Sequence, residues 1–168
     1  YRLKSGGRVG IVLPDGGIMS GEKVSEIEIK KKWFTEFNLH TIVRLPNGVF
    51  SPYAGIKTNL LFFTKGKPTK EIWYYEHPLP AGYKTYNKTK PIRIDEFEPE
   101  KSWWNNRVEN EFAWKVSIED IIKNNYNLDI KNPSKAEEEK LLSKEELIEK
   151  IEKNLAKSKE ILELIKKS

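Results

Sequence analysis

LHTIVRLPNGVFSPYAGIKTNLLFFTKG, residues 39–66, decides the fold. It holds two apolar runs, HTIVRLP (40–46) and TNLLFFTKG (58–66), rich in the β-branched and aromatic residues that favour strands. No helical stretch separates them, so the two strands are expected to pair antiparallel, as a hairpin at the edge of a sheet. Asn47-Gly48 and Gly55 permit tight backbone geometry between them. Phe50 and Tyr53 place rings where solvated polar residues are expected, with Arg44 and Lys57 nearby in the chain. Rings beside cations hold an unstacked base, each stack being worth about 1–3 kcal/mol. Residue types leave a second role open, in which Phe50 turns inward and plugs the sheet edge.

Working outward, GGRVGIVLP (6–14) is a glycine pair followed by a continuous apolar run, the pattern of a strand buried on both faces of a parallel α/β sheet. A turn, DGGIMSG (15–21), leads into a helix expected over 22–37. There Val24, Ile27, Phe34 and Phe37 have approximately helical spacing, Lys30-Lys31-Lys32 face outward, and Gly21 and Asn38 bracket the ends. TKEIWYYEH (69–77) reads as a third strand after the helix. The order strand, helix, strand, loop, strand is that of the final half of an open α/β sheet. From 78 to 133 the pattern gives way to Pro, Tyr, Lys and Asn. The pairs Trp103-Trp104 and Phe112 to Trp114 require a surface to pack against, and SIEDIIKN (117–124) suits a short helix.

The chain has 168 residues, 38% hydrophobic, with five Trp and a mean hydropathy of −0.66, enough for one domain with an appendage. No stretch has the roughly 20 apolar residues that span a bilayer, and no signal peptide is evident, so a cytoplasmic protein is expected. Cysteine is absent, which excludes disulfides and thiolate metal sites, and the two histidines lack ligand spacing. Residues 134–168 carry nine Lys and nine Glu, so the whole net charge of +5 lies in residues 1–133, a modest basic bias that suits a polyanion. The chain opens on Tyr1 and reaches an internal-looking strand at once, the sign of a piece of a longer protein.

The tail is a helix by pattern. Ser143 and Glu146 form a capping box, and Leu141, Ile148, Leu155 and Leu162 recur every seven residues, with Ile151 and Ile165 at the alternate position. About 24 residues at 1.5 Å each give a rod of roughly 36 Å. Its apolar seam either folds back on its own domain, docks onto a partner, or associates with a second copy.

Catalytic constellations are absent: no GxGxxG, no phosphate-cradling GxxxxGK[ST], no HExxH and no GxSxG. Asp15 ends a strand where open α/β sheets bind ligands, but beside Gly16-Gly17 it also reads as a turn former. DEFEPE (95–100) has no metal-site spacing and reads as a solvated acidic loop.

Four stretches taken in order, GGRVGIVLPDG (6–16), residues 39–66 above, EIWYYEHPLPAGYKTYNKTKPI (71–92) and NNYNLDIKNP (124–133), resemble the methylation (M) subunit of type I restriction-modification systems. The resemblance runs from about residue 6 to 133 and implies an α/β fold: the C-terminal half of a Rossmann-like methyltransferase sheet with an antiparallel hairpin, then an irregular segment and a long C-terminal helix. It implies three parts: 1–77 in the methyltransferase domain, a Pro/aromatic-rich extension over 78–133, and a charged docking helix over 134–168. Such subunits transfer a methyl group from S-adenosylmethionine to the N6 amine of adenine in double-stranded DNA. They work with a specificity subunit that reads the DNA and a restriction subunit that cleaves it.

The family's glycine-rich cofactor motif and its Asn-Pro-Pro-aromatic motif do not occur here, and Asn132-Pro133-Ser134 is no substitute. By resemblance this chain therefore holds no catalytic residue, is inactive alone, and leaves S-adenosylmethionine to a missing N-terminal part. The stretch NGVF matches the region that stacks on the flipped adenine, which points to Phe50, with Tyr53 and Lys57 as further DNA contacts. Ile148, Ile151, Leu155, Leu162 and Ile165 are the expected docking positions for a subunit, with contact between two M subunits as another use of the tail. The alternative is a non-catalytic DNA-binding or subunit-assembly module derived from a methyltransferase.

Overall fold

The computed structural model describes residues 3–21 and 23–136, together with four isolated helical positions, Ile148, Glu152, Asn154 and Leu155. Residues 1–135 form one unit and 136–168 another.

Five strands make one mixed sheet: β1 (Arg8–Pro14), β2 (Phe37–Leu45), β3 (Thr58–Lys65), β4 (Glu71–Glu76) and β5 (Ala113–Ser117), in the order β1-β3-β2-β4-β5. β2 and β3 pair antiparallel, Leu45 opposite Thr58 and Ile42 opposite Leu61, as the hairpin pattern predicts. The hairpin is not at an edge, however. β3 also pairs antiparallel with β1, Pro14 opposite Thr58, so it lies between two strands that run parallel to each other. β4 adds in parallel to the other side of β2, and β5 closes that side antiparallel.

The outer place belongs to β1, which corrects the expectation of a strand buried on both faces. Its residues alternate between exposed and half-buried, and Val12 is 51% exposed. A strand paired on one side only cannot bury both faces unless other elements cover them, and none of the described residues does so fully.

Helix α1 (Val24–Glu36) runs directly into β2, so Phe37 and Asn38 belong to the strand rather than to the helix end. Ile27, Lys30 and Phe34 fall three and four residues apart and therefore share a face. Lys30 is consequently fully buried, its Nζ donating to the Gly21 carbonyl at 2.9 Å, and burial lowers its pKa. Only Lys31 and Lys32 face solvent as expected.

Alternation along the strands divides the core in two. On one face Leu39, Ile42, Leu61, Phe63, Ile72, Tyr74 and Trp114 pack with Met19, with Phe34 of α1, with Leu128 and with Ile121 of α3 (Ile118–Lys123). On the other, Val43, Leu45, Tyr75 and Ala113 meet Trp103 of α2 (Glu98–Trp104). The Trp pair thus finds its surface on the sheet. The acidic run is not a solvated loop: Ile94–Phe97 is a 3-10 turn leading into α2, and Glu100 is buried. A short α4 (Pro133–Ala136) ends the unit, with Asn132 Oδ1 accepting from Ser134 N at 3.0 Å.

Burial of tyrosine on these strands gives a pH dependence. Tyr75 is 3% exposed, and burial, aided by the Glu100 carboxylate, pushes its hydroxyl from 10.0 up to about 12. Between those values the unfolded chain releases this proton and the folded chain keeps it. Stability therefore falls as pH rises through that window. The denaturant midpoint is expected to drop between pH 9 and pH 11.5, and Tyr75→Phe to lessen the drop without abolishing it, since burial raises Tyr74 and Tyr86 as well; an equal drop in both proteins would assign it to those groups.

Candidate functional site

The carboxyl ends of β1, β2 and β4 lie along one edge of the sheet, and the loop between Leu45 and Thr58 rises from it. That loop is a series of turns: Ser51 N donates to Gly48 O at 2.9 Å, and Phe50 O accepts from Tyr53 N at 2.9 Å and Ala54 N at 3.0 Å. The Ser51–Pro52 bond is cis. Val49, not Phe50, packs against the Val43, Leu45 and Tyr75 cluster. Phe50 is left 42% exposed, and Tyr53 is 95% exposed. The inward plug that residue types left open for Phe50 is supplied by its neighbour.

The base of the loop is held by the segment after β4. Asn47 O accepts from Thr85 Oγ1 at 2.9 Å and from Tyr86 N at 3.2 Å. Gly48 has φ +82°, and a Cβ there would stand 2.0 Å from Tyr86 O, so only glycine allows this approach.

Tyr86 is itself 1% exposed and sits in a buried polar chain that sequence patterns do not reveal. Its hydroxyl donates to Glu96 Oε2 and lies 3.3 Å from His77 Nε2, while His77 Nδ1 meets Glu100 Oε1 at 2.5 Å. The Tyr86 hydroxyl hydrogen is directed at Glu96, which leaves the phenol oxygen able to accept from His77 Nε2. Burial, then the bond to Glu96, raises the Tyr86 pKa. Phe97 stacks on His77 at 4.7 Å between centroids.

Charges at the edge are mostly paired. Arg44 is engaged within the chain: its guanidinium donates to Asp129 Oδ1 at 2.5 Å and Ile130 O at 2.7 Å, and stands 3.6 Å from Asp15. Asp15 also accepts from Asn59 Nδ2 at 2.6 Å, so it is more than a turn former. Lys57 is exposed, with no carboxylate partner among the described residues, and its carbonyl accepts from Asp15 N at 2.8 Å. The structure thus brings Phe50, Tyr53 and Lys57 onto one loop above a paired polar edge. Of the tail positions, Ile148 and Leu155 are helical and 53% and 55% exposed, while Ile151, Leu162, Ile165 and the capping box lie outside the described residues.

Residues 1–141 match the family model described as N-6 DNA Methylase. The chain belongs to the N-6 DNA methylase family. This N-6 methylase chain is 59% identical over 142 residues to the type I restriction enzyme EcoEI methylase subunit of Escherichia coli, a match covering 80% of the chain and 29% of that subunit. It is 36% identical over 107 residues to the EcoKI methylase subunit of Escherichia coli K12, covering 58% of the chain and 19% of that subunit. Among solved structures, it resembles a modification subunit of a putative type I restriction enzyme from Vibrio vulnificus YJ016, with a TM-score of 0.73 and 44% identity over 79% of the chain and 28% of that one. A chain from a study of assembly and conformational transition in the type I R-M system gives a TM-score of 0.74 and 36% identity over 98% of this chain and 35% of its own length. The methylase-family chain thus spans under a third of the curated relatives it matches.

Proposed function

We propose that this chain is the base-holding part of a site-specific DNA adenine-N6 methyltransferase, the methylation subunit of a type I restriction-modification complex working in the cytoplasm. The observation that carries this is Phe50: a half-exposed ring at the carboxyl edge of the sheet, on a loop whose core contact is made by Val49 and whose base is fixed by Thr85 and Tyr86. A flipped adenine needs a flat apolar surface already in place, because extrusion costs a few kcal/mol that stacking partly returns. Tyr53 and Lys57, exposed on the same loop, contact the DNA around that base.

S-adenosylmethionine supplies the methyl group in this chemistry. The family's glycine-rich cofactor motif does not occur in this sequence, and Asp15, the carboxylate at the strand end, is held by Asn59 and stands 3.6 Å from Arg44. Cofactor binding and the reacting groups are therefore assigned to the rest of the subunit. The tail docks onto the specificity subunit through Ile148, Ile151, Leu155, Leu162 and Ile165, and the restriction subunit joins that complex.

The test is a methyl-transfer assay with the intact subunit, its specificity subunit, a labelled methyl donor and adenine-containing duplex DNA. Label is expected in N6-methyladenine. Label in cytosine, or none at all, would overturn the proposal.

A further inference from the structure

The segment that grips the Phe50 loop carries a feature of its own. Gly82 to Lys90, GYKTYNKTK, ends in a tight hairpin turn over 87–90, where Asn87 and Lys90 exchange backbone hydrogen bonds at 3.1 Å each. Asn87 Oδ1 closes its tip by accepting from Thr89 Oγ1 at 2.7 Å, Lys90 N at 2.9 Å and Thr89 N at 3.0 Å. Its root is buried Tyr86, tied through Glu96 and His77 to α2. A hairpin closed at the tip and anchored at the root presents its side chains from a fixed backbone.

Three of those side chains are cations, Lys84, Lys88 and Lys90, all exposed and all without a carboxylate partner among the described residues. The acids that follow do not neutralise them. Asp95 pairs with Arg93 at 3.0 Å, Glu98 with Lys101 at 2.6 Å, and Glu96 accepts from the Tyr86 hydroxyl. Lys90 lies over the Tyr83 ring, 4.8 Å from its centroid, which orients the ammonium without cancelling its charge.

The same hairpin touches the loop, since Thr85 and Tyr86 both donate to Asn47 O. Phe50 is three residues from that point and Lys84 one residue. At about 3.8 Å per residue, chain length alone keeps the two within roughly 25 Å. Phe50 and Lys84 thus lie on two segments joined at Asn47, and Lys88 and Lys90 follow on the second of them.

We propose that the Gly82–Lys90 hairpin binds the DNA phosphate backbone through Lys84, Lys88 and Lys90, beside the nucleotide held by Phe50. This rests on the role given to Phe50 above. Flexible ammonium groups suit phosphates as point charges. Contacts of this kind fix the position of a protein on DNA and carry no sequence information directly. The hairpin therefore adds affinity and register at the site of flipping, on any target sequence.

Salt dependence tests this, because each phosphate neutralised adds about 0.9 to the slope of log K against log salt concentration. The intact methylation subunit with its specificity subunit would be titrated with labelled duplex from 50 to 300 mM salt. The wild type would be compared with Lys84→Gln/Lys88→Gln/Lys90→Gln and with a control, Lys32→Gln/Lys67→Gln/Lys70→Gln. The control changes exposed cations on α1 and at the far end of β2. The hairpin variant should lose about 2.7 from the slope, and at least about 0.9. At saturating DNA, a fluorescent adenine analogue at the target should give the wild-type signal. An unchanged slope overturns the proposal, and with weakened subunit assembly it assigns the lysines to an acidic protein surface. An equal loss in the control, or a lost analogue signal at saturation, also overturns it. Failure of the underlying role is separate: Phe50→Ala would then keep the wild-type analogue signal.

Discussion

Phe50→Ala in the intact methylation subunit is expected to weaken extrusion of the target adenine by about 5- to 150-fold, the equivalent of the 1–3 kcal/mol that one base–ring stack supplies. The loop should survive the change. Its turns are closed by main-chain bonds from Ser51, Tyr53 and Ala54, and its hold on the core is the side chain of Val49. Loss of a ring that is 42% exposed leaves no core cavity, so the melting temperature should barely move. Cofactor affinity should stay near that of the wild type, because the groups that bind it are assigned elsewhere. Phe50→Trp should retain most of the extrusion, since any flat ring can stack. A fluorescent adenine analogue in the target site reports extrusion directly, and an unchanged signal in Phe50→Ala would remove this ring from the pocket.

Gly48→Ala acts on the same loop by a different route and should be the most damaging small substitution there. A side chain at φ +82° costs about 1–2 kcal/mol. The new methyl would also stand 2.0 Å from Tyr86 O and 2.6 Å from Thr85 Oγ1. The loop must then part from the hairpin, losing two hydrogen bonds to Asn47 O worth about 1 kcal/mol each. A total near 3 kcal/mol corresponds to a fall of about 10 °C in melting temperature for a chain of this size. Extrusion should fall as well, because Phe50 would no longer be held in place. Gly55→Ala is the matched control, with no atom within 4 Å of its added carbon. Calorimetry on both variants decides it: equal melting temperatures would show that the Gly48 contact is easily relaxed.

Most of the sheet can be read in the chain because strand patterns are local. The apolar runs 40–46 and 58–66 reveal both hairpin strands, and the lack of a helix between them gives their direction. What pairs with the second side of β3 is not local. Pro14 and Thr58 meet across the whole of α1 and β2, and nothing in either stretch names the other. Lys30 misleads because a run of three lysines looks like a solvated face, although helical spacing sets the first of them on the side of Phe34.

At the site, the aromatic loop is visible as an oddity of composition, and family resemblance singles out Phe50 within it. Its support is not visible. Arg44 finds Asp129 some 85 residues away, and His77 finds Glu100 across an irregular segment where no periodicity applies. An acidic run such as 95–100 gives no hint that Glu100 is buried and Glu96 half-buried.

The position of β3 between β1 and β2 also orders the assembly of the chain. Closing β2 on β3 spans a loop of about 12 residues, whereas closing β1 on β3 spans about 43, a difference of roughly 1 kcal/mol in closure entropy. The hairpin should therefore form first and serve as the template to which β1 is later added. Pulse-labelled amide exchange during refolding would show protection in β2 and β3 ahead of β1, and simultaneous protection would count against it. On that order, the loop carrying Phe50 is defined early, and β1 arrives after it.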